Sequence, residues 1–159
     1  MKTSSIESIL SSDFLVSASL RPMTDKDLER VYRWRTDPRT LKRANDPSDF
    51  SFEEHLGWWE NTPKLLKLVF EYGGKPAGVI LYDNETRYWG FYLNPKNSSR
   101  KGLGRIMLSL FMPIAKSLKI KTIKATVKLD NYASRALHEI LGFRTIHFST
   151  FALEYQKEL

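Results

Sequence analysis

Residues 98–105 read Ser-Ser-Arg-Lys-Gly-Leu-Gly-Arg. An apolar strand pattern precedes them and a helical pattern follows. At a helix N-terminus the first backbone N–H groups have no partner within the helix, and the macrodipole favours a negative charge there. Gly102 and Gly104 let backbone approach a phosphate closely, and Arg100, Lys101 and Arg105 add positive charge. From residue 96 to residue 135 the only acid is Asp130. The pattern lacks the Lys-Ser/Thr of a P-loop and the third glycine of a dinucleotide fingerprint. A solvated surface turn would also use these residues; the strand–loop–helix order favours a phosphate site.

Other side chains suit chemistry or recognition. The three histidines are His55, His138 and His147, and imidazole is the side chain that titrates near neutral pH. They form no His-x-x-x-His pair, which argues against a zinc enzyme. Cys is absent, so there is no disulfide framework, thiolate metal site or cysteine nucleophile. In the aromatic run 88–93, period two puts Tyr88, Gly90 and Tyr92 on one face and Trp89, Phe91 and Leu93 on the other. One set belongs to a core, and the other is free to stack on a ligand ring. Trp58 and Trp59 are adjacent on a helix, so only one can face the core fully.

The elements around these residues form one α/β pattern. Residues 1–13 read as a flexible lead-in and 14–159 as a single domain. Residues 14–23 form a first strand. Thr24 caps a helix stopped by Asp37-Pro38. Residues 39–50 read as a mobile loop. Ser51, with Glu54 three residues on, opens a second helix. Strands follow at 65–72, 75–82 and 87–93, the first two joined by Gly73-Gly74. The longest helical pattern, 102–118, puts Ile106, Leu110, Ile114 and Leu118 on one face and carries Pro113 inside it. A β-branched strand at 122–129 precedes a helix at 131–141, which Gly142 closes. Two strands, 143–147 and 150–155, end the chain.

The chain has 159 residues and a net charge of +7, enough for one core and suited to an anionic partner. The basic residues cluster at the loop rather than along an aromatic-lined groove, so nucleic acid is not expected. Nor is a membrane: there is no signal-peptide pattern and no long apolar run. A cytoplasmic protein is expected.

Residues 99–104 resemble the acetyl-CoA pyrophosphate loop of the GNAT (GCN5-related) N-acetyltransferases, usually Gln/Arg-x-x-Gly-x-Gly, with Ser99 in the leading position. Asn131-Tyr132-Ala133-Ser134-Arg135-Ala136-Leu137-His138-Glu139-Ile140-Leu141-Gly142-Phe143 resembles that family's second signature, and the element order is similar from residue 19 to 154. Three further segments, Trp34-Arg35-Thr36-Asp37-Pro38, Glu54-His55-Leu56-Gly57-Trp58 and Tyr88-Trp89-Gly90-Phe91-Tyr92-Leu93-Asn94-Pro95, are similar to the pseudaminic-acid-pathway enzymes. Those enzymes acetylate the 4-amino group of a UDP-linked amino-dideoxy sugar. Here Thr36 stands in place of the usual Asn, and Thr126 where a Glu is often found.

The resemblance implies a mixed, mostly antiparallel twisted sheet flanked by helices, with a central strand pair that splays to admit pantetheine. It implies acetyl-CoA as cofactor and a small-molecule amine as partner, the alternative acceptor being a protein N-terminus. Without a cysteine, attack in a ternary complex is direct. Cofactor contacts are expected from Phe91, Leu93, Ser99, Arg100, Lys101, Gly102, Leu103, Gly104, Arg105, Asn131 and Ser134. His138 is expected to protonate the leaving thiolate, and Tyr92 or Tyr88 to hold a water that deprotonates the amine. Substrate contacts are expected from Arg35, Arg39, His55, Trp59 and Tyr88. Exposed aromatics leave room for a homodimer.

Overall fold

The structure, a computed structural model, describes residues 16–97 and 102–159. The elements follow the expected order. They are β1 (Ala18–Pro22), α1 (Leu28–Thr36), α2 (Pro38–Leu41), α3 (Phe52–Asn61), β2 (Leu66–Tyr72), β3 (Lys75–Tyr82), β4 (Trp89–Leu93), α4 (Leu103–Ser117), β5 (Thr122–Lys128), α5 (Tyr132–Ile140), β6 (Arg144–Phe148) and β7 (Ala152–Glu158). The expected lead-in lies outside the described residues.

Two antiparallel sheets result, β1-β2-β3-β4 and β5-β7-β6. They meet where β4 and β5 lie parallel, through one bridge between Tyr88 and Lys124, where the Lys124 amide donates to the Arg87 carbonyl at 2.8 Å. Beyond that bridge the strands part, giving the expected splayed pair. The even residues of the β4 segment turn their backbone toward β3: the Asn94 amide donates to Ala77, and the Tyr88 carbonyl accepts from Asp83. By strand alternation the backbone N–H and C=O of Phe91 and Leu93 therefore face the gap.

Two apolar clusters grip the sheet from opposite faces. The larger holds Phe70, Ile80, Trp89, Met107, Phe111, Ile123 and Tyr155, with Phe91 and Leu93 packed on it. The smaller holds Val31, Trp34, Val69 and Val79, with Tyr92 packed on it. Period two thus divides β4 as its sequence implies. In α4 the buried stripe is Leu103, Met107, Leu108, Phe111 and Ala115. The stripe of Ile106, Leu110, Ile114 and Leu118 lies beside it, with Ile106 and Leu118 exposed. The helix runs through Pro113, which has no N–H to donate. Gly78 lets β3 lie close to α4, since a Cβ there would sit 2.8 Å from the Met107 Sδ.

The stretch read as a mobile loop is instead a tied strap. Asp37 caps α2 by accepting from the Arg39 amide. Further on, Asn45 Nδ2 donates to the Thr126 carbonyl at 2.8 Å, Lys128 Nζ to the Lys42 carbonyl at 3.1 Å and the Tyr32 hydroxyl to the Phe50 carbonyl at 2.9 Å. The partners lie far apart in sequence, so local periodicity carried no sign of them.

A buried carboxylate ties α1 to the sheet. Asp27, 1% exposed, accepts from Arg21 Nη1 and Nη2 at 2.8 Å each, from Arg30 Nη1 at 2.8 Å and from the Thr24 amide at 2.9 Å. Arg21 also reaches Glu71. These bonds, those of Arg21 above all, hold the Asp27 pKa down to about 2. A depressed carboxylate contributes stability in full above its unfolded pKa, about 3.9, and loses it as pH falls through the folded value. Asp27→Asn is expected to destabilise the fold by on the order of 1–2 kcal/mol at pH 7, with the gap from wild type closing between about pH 4 and pH 2. Urea titrations across that range read it; a pH-independent gap would contradict the assignment.

Candidate active site

A cavity of about 620 Å³ opens where β4 and β5 part. Its floor is residues 89–93 and 125–127. The start of α4 (Gly102, Gly104, Arg105) and the inner side of α5 (Asn131, Ser134, His138) flank one face of the sheet, while Arg35, Arg39, Arg43 and Asn45 flank the other.

On the first face, Gly102 sits at φ +89°, where an L side chain would be strained, and turns the chain into α4. The first-turn N–H groups of α4 lie beside the cavity, where an anion meets the positive end of the helix. Leu103 contributes only backbone there, because its side chain is core. Ser99, Arg100 and Lys101 lie outside the described residues. Asn131 caps α5 by accepting from the Ser134 amide at 3.2 Å. Gly104 lets α4 lie close to α5, since a Cβ there would meet Leu137 Cδ1 at 3.0 Å.

His138 differs from the expectation. The Trp89 indole donates to its Nε2 at 3.0 Å, and its Nδ1 lies 2.7 Å from the Ser134 carbonyl. A carbonyl can only accept, so the proton is on Nδ1 and the ring is neutral. The imidazole is 1% exposed and stacks on Tyr155 with centroids 5.2 Å apart. Burial pushes its pKa below the ordinary histidine range, only partly offset by the Ser134 bond. Both nitrogens are engaged within the fold: the Nδ1 proton is held by the Ser134 carbonyl, and Nε2 fixes Trp89 in the cavity floor.

On the second face, burial drives the Tyr92 phenol upward, so it stays protonated. Gly90 shares that face, and a Cβ there would meet nothing within 4 Å. Arg35 donates from Nη2 to the Asp46 carbonyl at 2.9 Å and lies over the Phe50 ring at 5.6 Å. Its Nη1 is buried without a hydrogen-bond partner. Arg39 stands at the rim, with Nε and Nη2 each 2.9 Å from Asp37 oxygens.

Three expected substrate contacts lie elsewhere. His55 Nε2 donates to the Leu28 carbonyl at 3.0 Å, and its ring stacks on Trp58 at 5.3 Å, so it pins α3 to α1. Trp59 packs on the smaller core cluster and carries the Lys67 ammonium 5.0 Å above its ring. The Tyr88 hydroxyl donates to Glu154 Oε2 at 2.6 Å beside the strand junction. None of the three lines the cavity. Sequence reading missed Arg43 and Asn45, which do line it, as does Thr126.

Residues 18–144, most of the chain, match the family described as an acetyltransferase (GNAT) domain. A curated relative, the uncharacterized protein MJ1062 of Methanocaldococcus jannaschii, is 28% identical over 143 residues, 79% of this chain. The chain spans about 28% of that relative's length. Among solved structures, a domain from Methanocaldococcus jannaschii superposes with a TM-score of 0.78 at 22% identity, over 91% of this chain and all of that one. Aminoglycoside acetyltransferase AAC(6')-Ib in complex with coenzyme A gives 0.74 at 16% identity over 89% and 95%. Microcin C7 self-immunity acetyltransferase MccE in complex with acetyl-CoA and AMP gives 0.71 at 20% identity over 89% and 92%. These three likenesses concern the fold.

Burial lowers the pKa of both His55 and His138. The unfolded chain takes up these protons near pH 6.5 and the folded chain only at lower pH. The stability contribution is therefore whole above that value and declines as pH falls through the folded pKa values. Denaturant titrations are expected to show weaker folding at pH 5.5 than at 7.5. Nitrogen-15 spectra should show His138 as the neutral Nδ1–H form at pH 6.5; an imidazolium signal would contradict this geometry. From its match over most of its length, the chain belongs to the acetyltransferase (GNAT) domain family.

Proposed function

We propose that this chain is an acetyl-CoA-dependent N-acetyltransferase acting on a small primary amine that carries an anionic group, and that its acceptor is the 4-amino group of a UDP-linked amino-dideoxy sugar. The observation that carries the acceptor reading is Arg35, whose Nη1 is buried beside the cavity with no hydrogen-bond partner. A buried guanidinium nitrogen without an acceptor is costly, and a phosphate or carboxylate oxygen in a ligand relieves that cost. Arg39 and Arg43 extend the positive wall, and Asp46 is the only acid among the described lining residues. A polycationic acceptor fits that wall poorly. The neighbour MccE is in complex with both acetyl-CoA and AMP, which supports a nucleotide-bearing ligand.

Phe91 and Leu93 backbone, the start of α4 and the inner side of α5 are the groups suited to holding acetyl-CoA, which supplies an activated acetyl thioester. Donors fixed before reaction stabilise charge that develops on a carbonyl oxygen, and the gap-facing N–H groups of β4 fill that role. The Tyr92 hydroxyl, on a residue of the cavity floor beside these groups, is the proton donor we assign to the leaving thiolate. Among the described residues no helix is long and apolar enough to cross a membrane, and a cytoplasmic site of action fits an acetyl-CoA enzyme. The exposed rings of Phe148 and Phe151 at the β6–β7 turn support a homodimer.

Calorimetry with acetyl-CoA, then thiol release over UDP-4-amino sugars, peptides and aminoglycosides, tests the reading. Arg35→Met is expected to raise the KM for the UDP sugar at least tenfold, since a charge-assisted bond to a buried guanidinium is worth about 1.5–3 kcal/mol. Acetyl-CoA affinity should not change. Turnover confined to peptides or aminoglycosides, or an unchanged KM, would overturn the acceptor assignment.

A further inference from the structure

Glu154 lies in mid-β7, in register with Thr126 on β5. Its two carboxylate oxygens are both engaged. Oε1 accepts from the Thr126 hydroxyl at 2.7 Å, and Oε2 from the Tyr88 hydroxyl at 2.6 Å. These three residues come from three strands that meet at the junction of the two sheets.

Strand geometry places the group relative to the gap. Tyr88 and Lys124 are bridged, so two residues further on Gly90 and Thr126 stand on opposite banks of the gap. Thr126 lines the cavity, and a Cβ at Gly90 would meet nothing. Thr126 shares its strand face with Lys128, which bonds to the strap, and therefore faces the acceptor side rather than α5. A hydroxyl has one proton and two lone pairs. Thr126 gives its proton to Glu154, leaving oxygen lone pairs free to accept from a group in the cavity.

We propose that Thr126 and Glu154 form the proton-accepting pair for the acceptor amine: Thr126 touches the amine, and Glu154 acts through it. This rests on the reading of the chain as an amine acetyltransferase. The amine nitrogen attacks the thioester carbonyl carbon, a C–N bond forms and the C–S bond breaks, and the electron pair leaves on the coenzyme sulfur. Before attack the ammonium form gives one proton to Thr126 Oγ1 while the Thr126 proton passes to Glu154 Oε1, which returns it to solvent. The second proton, shed by the nitrogen after attack, replaces the one that the Tyr92 hydroxyl gives to the thiolate. Tyr88 holds the second carboxylate oxygen and so fixes the carboxylate plane. In this arrangement the carboxylate comes from the strand next to β5, which is why β5 itself carries none at Thr126.

The test compares two nucleophiles small enough to need nothing from the arginine wall. Ethylamine reaches the site as an ammonium ion and must lose a proton; hydroxylamine is already unprotonated at neutral pH. Glu154→Gln keeps the shape of the side chain and removes its basicity. It is expected to slow ethylamine turnover about 100-fold, the lower end for general base catalysis, while hydroxylamine turnover stays within about twofold, because that nucleophile needs no base. Thr126→Val should reproduce this split and Thr126→Ser restore the wild-type pattern. Acetyl-CoA titration by calorimetry should be the same in all four proteins. Equal losses with both nucleophiles, or an undiminished rate with ethylamine, would overturn the pair. A UDP sugar that fails with the wild-type enzyme removes the acceptor assignment instead and leaves this comparison standing.

Discussion

The parting of β4 and β5 is the constraint on which the rest of the molecule depends. The two strands are joined by one bridge, at Tyr88 and Lys124, and from there β4 is held by β3 alone while β5 is held by β7 alone. A strand edge without a neighbour exposes backbone donors and acceptors that must find partners. Here that edge faces the cavity between the parted strands. The fold thereby keeps a row of backbone hydrogen-bonding groups available to a ligand without offering an edge to another sheet.

Keeping the gap open requires rigidity on both banks. On one side, the Trp89 indole, His138 and the Ser134 carbonyl form a chain of bonds whose members are packed among Phe91, Phe143 and Tyr155. A satisfied buried polar chain of this kind specifies a single arrangement, because any alternative leaves a donor or acceptor unpaired. On the other side, the strap from Asp37 to Phe50 is tied to both α1 and β5. Its arginines therefore face the cavity from fixed backbone. Among the described residues, Arg35 Nη1 is the buried side-chain polar atom left without a hydrogen-bond partner.

Much of this was legible in the chain. Period two in residues 88–93 divided the strand correctly into two faces, Trp89, Phe91 and Leu93 on the larger cluster and Tyr92 on the smaller, since alternation is a property of the backbone itself. Ser51 as the cap of α3 and Gly142 at the end of α5 were readable because turns and caps are local events. What escaped were arrangements made by distant residues. The strap looked mobile because its anchors, Thr126 and Lys128, lie some eighty positions away. His55 and His138 looked available for chemistry because residue type reports a titratable ring but not the carbonyl or indole that engages it. Glu154 had no local signal, since its significance comes from register with Thr126 and from Tyr88 across the sheet junction.

Amide hydrogen exchange at Phe91 and Leu93, with and without saturating acetyl-CoA, tests the central claim most directly. Placing the coenzyme along the open edge of β4 predicts that these two amides, which face the gap, exchange markedly more slowly in the complex. Tyr92, whose amide belongs to the β3 ladder, should change little. Binding of acetyl-CoA with Phe91 and Leu93 exchanging as fast as in the free protein would contradict the account, because the coenzyme would then lie somewhere other than between the parted strands.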